Sequence, residues 1–374
     1  MQTTQIRWTP DSQWSNSTDD FRDADLVLVF ADTAYFQTSA CYQSLKDKFP
    51  DAHIVGCSSS GSVLNNTISD DDVVATAIRF DQGKVRLATA DVAAGADIRL
   101  LAAKLMEELK SNDLKHVLVF SDGLLVNGSD LATGLNGYGF PVTGGLAGDG
   151  TRFGKTWVMA DAPARTGCVA AIGLYGDMAI KSGCFAGWQE FGAERTVTKS
   201  TNNVVTDIDG QPALALYKKY LGDLADKLPS SGLRFPLSVR ADKKDDKPII
   251  RTLLAVDEGT QSLTFAGDVP QGYLCKLMKT NLDDLIENAG MAANMAKPQQ
   301  ANAVGLCLAV SCVGRRLVLG QLTEEELDIV QEKLGIKTTI TGFYSYGELA
   351  PFSDVLQCQL HNQTMTLTTI YEKQ

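Results

Sequence analysis

The sequence predicts a mixed α/β (α+β) fold, in which a duplicated N-terminal half precedes a C-terminal half of mixed α/β structure. Two apolar runs, Leu26–Ala31 and Val117–Ser121, each lead directly into an aspartate, a pattern typical of buried parallel strands. Between them, Asp97–Leu109 carries leucines at helical spacing, which predicts an amphipathic helix. Strand-like pairs joined by short turns follow both runs and indicate β-hairpins, so parallel and antiparallel strands must coexist.

The N-terminal half contains an internal repeat, over residues of about 25–95 and 116–187. Each copy has the order strand, helix, strand, hairpin. The first copy is expected to have a crossover helix near Phe36–Lys48, and the second a shorter helix near Ser129–Leu135. Two copies of this length indicate a duplication within one domain, not a solenoid.

The C-terminal half opens near Thr196 and mixes strands with helices. Pro212 suits the first turn of a helix that continues to about Tyr220. Leu282–Met295 predicts a second helix, and Thr323 with Glu326 three residues later predicts a capping box at the start of a third. We therefore divide the chain into an N-terminal extension (1–22), an N-terminal domain (23–195) and a C-terminal domain (196–374).

Composition excludes some classes of partner. The chain has 374 residues, 44% hydrophobic and 21% charged, with a net charge of -11 and a pI of about 4.8. Nucleic-acid binding requires a basic surface, and so does binding to anionic lipid, so neither partner is expected. No basic segment followed by an apolar run marks a signal peptide, and no apolar stretch reaches membrane-spanning length. We expect a cytoplasmic protein without membrane insertion.

Several segments together resemble the FIST family, the two-part sensory domain of bacterial signal-transduction proteins. They occur in the order of the N-terminal and C-terminal FIST parts: Thr143–Asp149, Ile208–Ala213, Phe265–Gly272, Cys312–Arg316 and the ending Cys358–Leu367. The ending places His361, Asn362 and Gln363 side by side in strand-like sequence, where each polar group needs a partner if it is buried. The resemblance covers nearly the whole chain.

The resemblance implies a ligand sensor, with amino acids proposed as ligands for many members. As a stand-alone chain, the protein is similar to a nitric-oxide-sensing subset of the family. That similarity implies a haem b cofactor, nitric oxide as ligand, and a sensor histidine kinase or a cyclic-di-GMP enzyme as partner. A homodimer is also compatible with it.

If haem is bound, the first expected iron ligand is His361, because the chain has only three histidines. Asn362 could supply a hydrogen bond beside it. Ligation by Cys358 or Cys312 remains open, whereas covalent attachment is excluded because no Cys-x-x-Cys-His occurs. The alternative is that His361 is a buried, hydrogen-bonded core residue.

A site for a small polar metabolite would use other residues. Arg315 or Arg316 could clamp a carboxylate, and Glu348 could hold an amine. Gly144 and Gly145 lie in a glycine-rich segment that could close over a ligand, with Tyr346 as a wall and Asn362 as a polar contact. The alternative is structural: buried ion pairs for the charged residues, Arg251 included, tight turns for the glycines and core packing for the tyrosine.

No hydrolase or metalloprotease motif occurs, and three histidines provide little general-base capacity near neutral pH. We therefore expect that the chain is not an enzyme. The leading hypothesis is a haem-binding, nitric-oxide-responsive regulator of a partner histidine kinase. The first alternative is a haem-free sensor of a small polar metabolite such as an amino acid, and the second is an enzyme that uses unrecognised carboxylates.

Overall fold

The computed structural model describes residues 1–9, 13–15, 21–245, 247–298, 304–351 and 356–372. Residues 10–12 and 16–20, which the sequence assigned to an N-terminal extension, lie outside the described residues. Residues 2–9 of that extension form an edge-adjacent strand of the first sheet.

Strands dominate the fold. The strands of the first half are β1 Gln2–Thr9, β2 Gln13–Trp14, β3 Leu26–Ala31, β4 His53–Ser58, β5 Ser62–Leu64, β6 Thr67–Ser69, β7 Val73–Arg79, β8 Lys84–Asp91, β9 Leu114–Ser121, β10 Val142–Leu146, β11 Val158–Ala160, β12 Cys168–Tyr175 and β13 Met178–Phe185. Those of the second half are β14 Gln189–Thr201, β15 Val204–Ile208, β16 Gln211–Pro212, β17 Leu237–Arg240, β18 Ile249–Arg251, β19 Leu253–Asp257, β20 Ser262–Phe265, β21 Leu274–Lys279, β22 Gly305–Cys312, β23 Thr338–Ser345, β24 Gly347–Pro351, β25 Cys358–His361 and β26 Met365–Glu372.

The helices flank the sheets, and some of them begin at a side-chain cap. They are α1 Ala40–Lys48, α2 Ile98–Leu109, α3 Gly128–Gly134, α4 Ala213–Leu221, α5 Leu282–Ala296, α6 Val313–Leu319 and α7 Thr323–Leu334. The side chains of Asp97 and Asn281 accept backbone N–H bonds and so cap α2 and α5. The mixed α/β fold class is therefore confirmed. The segment after β22, for which the sequence left strand or helix open, is helix α6.

Four sheets make up the fold. Sheet I has the order β11-β4-β3-β7-β1-β2, sheet II β25-β24-β10-β9-β12-β8, and sheet III β13-β26-β22-β23-β5-β6. Sheet IV, with the order β18-β17-β21-β14-β15-β20-β19 and β16 beside β15, is formed by Gln189–Lys279. The strands of sheet IV and helix α4 pack around their own apolar core, and we call residues Gln189–Lys279 the inserted domain.

Sheets I, II and III are three copies of one arrangement. Each contains a parallel pair, β3–β4, β9–β10 or β22–β23, and an antiparallel strand on the other side of the first member, β7, β12 or β26. The chain therefore holds three modules, β3 to β8, β9 to β13 and β22 to β26. The sequence predicted the first two. It missed the third, because the inserted domain separates it from the second.

Strand exchange links the modules into a closed ring. A short strand that follows each parallel pair joins another module's sheet: β5 pairs with β23, β11 with β4 and β24 with β10. The last strand of modules 1 and 2 crosses as well, because β8 pairs with β12 and β13 pairs with β26. β1 pairs with β7 and completes the pattern. No module could retain its sheet without its neighbours.

One glycine recurs at the same place in each module. A Cβ on Gly56, Gly144 or Gly342 would lie 1.8, 1.9 or 1.8 Å from a carbonyl oxygen of the adjacent parallel strand. The carbonyls belong to the residues opposite in register, Val29, Val119 and Ala309. The prediction that Gly144 closes over a ligand is thus corrected, since this glycine permits close strand approach.

No helix in the described part of the chain is long and apolar enough to cross a membrane.

At the centre of the ring, Phe343 stacks on Phe30 with ring centroids 4.9 Å apart and contacts Phe120 at 5.9 Å. Because these rings come from modules 3, 1 and 2, the module junction is itself apolar core.

Candidate functional site

A cavity of about 510 Å³ lies between the ring and the inserted domain, and we call it the domain cleft. On the ring side it is lined by Gly123–Gly128, which follow β9, and by Cys312–Gly314 at the end of β22. On the other side it is lined by Thr252–Leu254 and Phe265–Asp268 of the inserted domain. The ring residues stand at the carboxyl ends of parallel strands, where open α/β sheets usually bind ligands.

Tyr346 forms one wall of the cleft. Its hydroxyl donates to the carboxylate of Asp149 and lies 3.0 Å from the carbonyl oxygen of Gly150, and its ring stacks on Phe153 at 4.8 Å. Burial raises the pKa of Asp149, but bonds from Tyr346 and from backbone N–H groups outweigh burial and hold that pKa below its ordinary value. The tyrosine is therefore fixed in place beside an ionised carboxylate.

Tyr344, two residues before Tyr346, does not line the cleft. It is fully buried on the far side of the strand, and its hydroxyl donates to Glu326 at 2.7 Å. The chain turns between β23 and β24, at Tyr346, so strand alternation does not continue from one tyrosine to the next.

The opposite wall contains an unsatisfied hydroxyl. The side-chain oxygen of Thr252 is buried and has no hydrogen-bond partner among the described residues. Leaving such a group unpaired costs about 1–3 kcal/mol, so native proteins rarely do so without a reason. Nothing in the sequence distinguishes this threonine from others, and sequence reasoning missed it.

Asn362 and Gln363 lie behind the cleft. Gln363 packs against Gly314, where a Cβ would come within 2.6 Å of its amide nitrogen, and that nitrogen donates to the carbonyl of Leu233 at 3.1 Å. Asn362 is fully buried, and its amide donates to the carbonyl of His361 at 3.0 Å. The side-chain oxygens of both amides have no partner in the described structure. Asn362 thus supports the cleft floor and, contrary to prediction, does not line the cleft.

His361 is not positioned to act as a haem ligand. Its ring is 2% exposed, does not line the domain cleft, and places Nε2 3.1 Å from the carbonyl oxygen of Ala350. Burial lowers the pKa of His361 to about 4, so the imidazole is neutral. The contact that occupies Nε2 ties β25 to β24, as the core-histidine alternative expected.

The two cysteines do not complete a haem site. Cys312 lines the domain cleft, whereas Cys358 lines a different cavity. Burial raises the pKa of both thiols, which disfavours the thiolate that iron requires. No group of three or more histidine, cysteine or acidic side chains in the described residues could hold a metal ion. The structure therefore does not bring the predicted iron ligands together at one site.

The prediction that Arg315 clamps a ligand carboxylate is wrong, because Arg315 is a structural residue. It is fully buried, and its guanidinium lies 2.8 and 3.0 Å from one carboxylate oxygen of Glu326. Further bonds reach the carbonyls of Ala186 and Leu285 at 2.5 and 2.8 Å. These contacts join α6, α7 and α5, and the side chain does not reach the domain cleft.

The other predicted contacts are structural as well. Arg316 pairs with Asp70 at 2.6 Å and holds the carbonyl of Ser60, so it links modules 3 and 1. Glu348 is fully buried and accepts bonds from Ser345 at 2.6 Å and from the hydroxyl of Thr364 at 2.8 Å. Gly145 lies within β10, where a Cβ would come within 2.6 Å of Val310. Of the predicted contacts, Tyr346 and Cys312 line the domain cleft.

The ring, the inserted domain and the cleft between them define a two-part α/β protein. Two family models match the chain in order, a FIST N domain over residues 25–211 and a FIST C domain over residues 213–351, and the boundary between these models falls within the inserted domain. The chain belongs to the FIST family, whose domains are sensory, ligand-binding domains of signal transduction. The Cys358–Leu367 ending lies beyond β24 and outside the matched residues, although it contributed to the resemblance.

Solved structures similar to this chain include a chorismatase, at 8% identity and a TM-score of 0.35, with 99% of this chain and 98% of that chain covered. A cyanuric acid hydrolase from A. caulinodans matches at 7% identity and a TM-score of 0.40, with 100% and 99% covered. Another cyanuric acid hydrolase matches at 11% identity and a TM-score of 0.33, with 99% of each chain covered. No curated protein sequence matches the chain.

These structural neighbours are enzymes, and they contradict the prediction that the chain is not an enzyme. That prediction was wrong because it relied on missing sequence motifs, which do not transfer between unrelated active sites. At these TM-scores the likeness carries no argument about a substrate, a reaction or a residue of this chain.

Proposed function

We propose that the protein is a sensor that binds a small organic metabolite in the domain cleft. The observation that carries the proposal is the unsatisfied hydroxyl of Thr252 in the wall of a cavity of about 510 Å³. Cavities of this size suit metabolites and cofactors, and a few polar groups on an apolar lining fix the orientation of the ligand. The proposal resembles the haem-free alternative that the sequence left open, although that alternative expected a small polar metabolite.

The lining indicates the chemistry of the ligand. Leucines such as Leu124, Leu253 and Leu317 supply an apolar surface, and Tyr346 offers an aromatic face. Thr252 and the side-chain amides of Asn202 and Asn203 offer neutral polar contacts. A mostly apolar molecule with a few hydrogen-bonding groups fits this lining, and among amino acids those with aromatic or branched side chains fit best.

Binding can produce a signal because the walls belong to different structural units. A ligand that contacts both the ring and the inserted domain stabilises their closed arrangement by its difference in affinity between open and closed states. The change in position of the inserted domain would then be available to a partner protein. Several expectations stay predictions. The resemblance predicts nitric oxide as the ligand, a sensor histidine kinase or a cyclic-di-GMP enzyme as the partner, and a homodimer, and the composition predicts a cytoplasmic location.

A thermal-unfolding screen tests the proposal. Amino acids and small aromatic or branched carboxylic acids are added at millimolar concentration, and a compound present at about 100 times its dissociation constant stabilises the protein by about 2.7 kcal/mol. Thr252→Val and Tyr346→Phe remove cleft hydroxyls and should reduce the stabilisation. Thr206→Val, at a half-buried position of β15 that does not line the cleft, is the matched control. A stabilising compound that is insensitive to both cleft variants contradicts the proposal.

A further inference from the structure

A second cavity, of about 480 Å³, lies beside the domain cleft and contains an unpaired buried cation. Its walls are α2 and α3 of module 2, strands β17 and β18 of the inserted domain, and β25. The cation is Arg251 at the end of β18, which is 3% exposed. We call this the arginine cavity.

The bonding of Arg251 leaves one nitrogen without an acceptor. Nε donates to the carbonyl of Asp268 at 2.9 Å, and Nη1 donates to the carbonyls of Ile250 and Leu360 at 3.0 Å each. In the part of the chain that the structure describes, Nη2 has no acceptor and no carboxylate lies within ion-pair distance of the guanidinium. The two N–H groups of Nη2 are therefore available to a ligand.

The energetics make this arrangement costly without a ligand. A buried charge that is not paired carries a desolvation penalty of several kcal/mol, which neutral carbonyls offset only in part. Burial lowers the pKa of Arg251 to about 10, yet the group remains charged near neutral pH. By contrast, the fully buried Arg315 has its carboxylate partner in Glu326.

The surroundings make room for the guanidinium and place charges of both signs around it, since Asp245 and Asp268 line the cavity together with basic side chains. A Cβ on Gly267 would lie 2.9 Å from Nε of Arg251, so a glycine is required beside it. Arg99, Arg240 and Lys247 also line the cavity. Arg99 and Arg240 already pair with Asp130 and Glu194, which leaves Arg251 as the cation with the largest unmet demand for an anion.

We propose that the arginine cavity is a second ligand site, which binds the carboxylate or phosphate group of a small metabolite on Nη2 of Arg251. A cavity of about 480 Å³ exceeds one oxyanion, so the organic part of the ligand lies against Pro270, Tyr273 and Leu360. The site is distinct from the domain cleft. Asp268 lines both cavities and connects them.

Calorimetric titration of the full chain with inorganic phosphate and with succinate tests the site and distinguishes the two anion classes. We expect at least one probe to bind, and Arg251→Met to weaken that binding by about tenfold or more. Arg7→Met, at a residue of β1 that does not line the cavity and whose side chain is 51% exposed, should change the affinity by less than about threefold. Binding of neither probe, or equal binding by wild type and Arg251→Met, overturns the proposal.

A measurement without a variant covers the case in which Arg251→Met fails to fold. Crystals of the wild-type protein are soaked in selenate, a tetrahedral oxyanion with an anomalous signal. An anomalous peak within hydrogen-bond reach of Nη2 supports the site. Selenate peaks elsewhere on the protein, with none beside Arg251, overturn it.

Discussion

Arg315 and Glu326 form an ion pair in which both side chains are completely buried, with Nη2 and Oε2 2.8 Å apart. Removing one partner of such a pair leaves the other charge in the core. We expect Glu326→Ala to reduce the free energy of unfolding by about 3 to 5 kcal/mol, measured by urea denaturation. Glu332→Ala, on the same helix but exposed and paired with Lys333, should leave it unchanged. Similar effects at the two positions would show that the buried pair does not join the three helices.

The recurring glycine gives a prediction about the ring. Alanine at Gly56, Gly144 or Gly342 should destabilise the protein by on the order of 1–3 kcal/mol each, because the Cβ collides with backbone and strands must separate. The control is Gly154→Ala, where the nearest atom to a Cβ is 3.6 Å away. Thermal unfolding of the four variants measures the comparison. A large loss at one of the three glycines and none at the others would contradict an equivalent role in three modules.

Burial raises the pKa of Glu348 to about 7, from an ordinary value of 4.5. Between these values the folded state retains a proton that the unfolded state has released, so this residue makes wild-type stability fall as pH rises. Glu348→Gln does not titrate. The difference in unfolding free energy, variant minus wild type, should therefore increase from pH 5 to pH 8. Glu287→Gln, at an exposed position of α5, is the matched control for the substitution itself. A difference at Glu348 that stays constant over this pH range would mean that its carboxyl group has an ordinary pKa.

The geometry of His361 gives a prediction about haem. Because Nε2 contacts Ala350 and the ring does not line the domain cleft, haem added to the purified protein should give no Soret band that depends on His361. Visible spectra of wild type and His361→Ala, reconstituted in parallel, make the measurement. A sharp band that shifts with nitric oxide and disappears in His361→Ala would restore the haem hypothesis.

Local periodicity predicted the regular elements well. The helix expected over Asp97–Leu109 is α2, with Asp97 as its cap. The strands of the two expected N-terminal hairpins are present, but the hairpins were wrong, since β8 pairs with β12 and β13 pairs with β26. The third module was not predicted, because its sheet depends on strands from the other two modules and no local pattern encodes that pairing. The capping box at Thr323 was wrong, since Glu326 turns inward to Arg315 and the hydroxyl of Thr323 donates to Gly320.

The candidate site could be predicted only in part. The arginines and the run His361–Gln363 were predicted to bind ligands, because such residues often do. Most of them instead hold the ring together. Thr252 and Gly267 carry no such signal. Their roles depend on what lies opposite them in space, and the sequence does not show that the inserted domain faces module 2 across a cleft.

The central claim is that the domain cleft binds a small metabolite. A crystal structure of the protein with the most stabilising compound of the screen tests it most directly. We predict electron density for the compound between Tyr346 and Thr252, with a polar atom of the compound within hydrogen-bond distance of the Thr252 hydroxyl. An empty cleft, with the compound bound elsewhere on the protein, would contradict the claim.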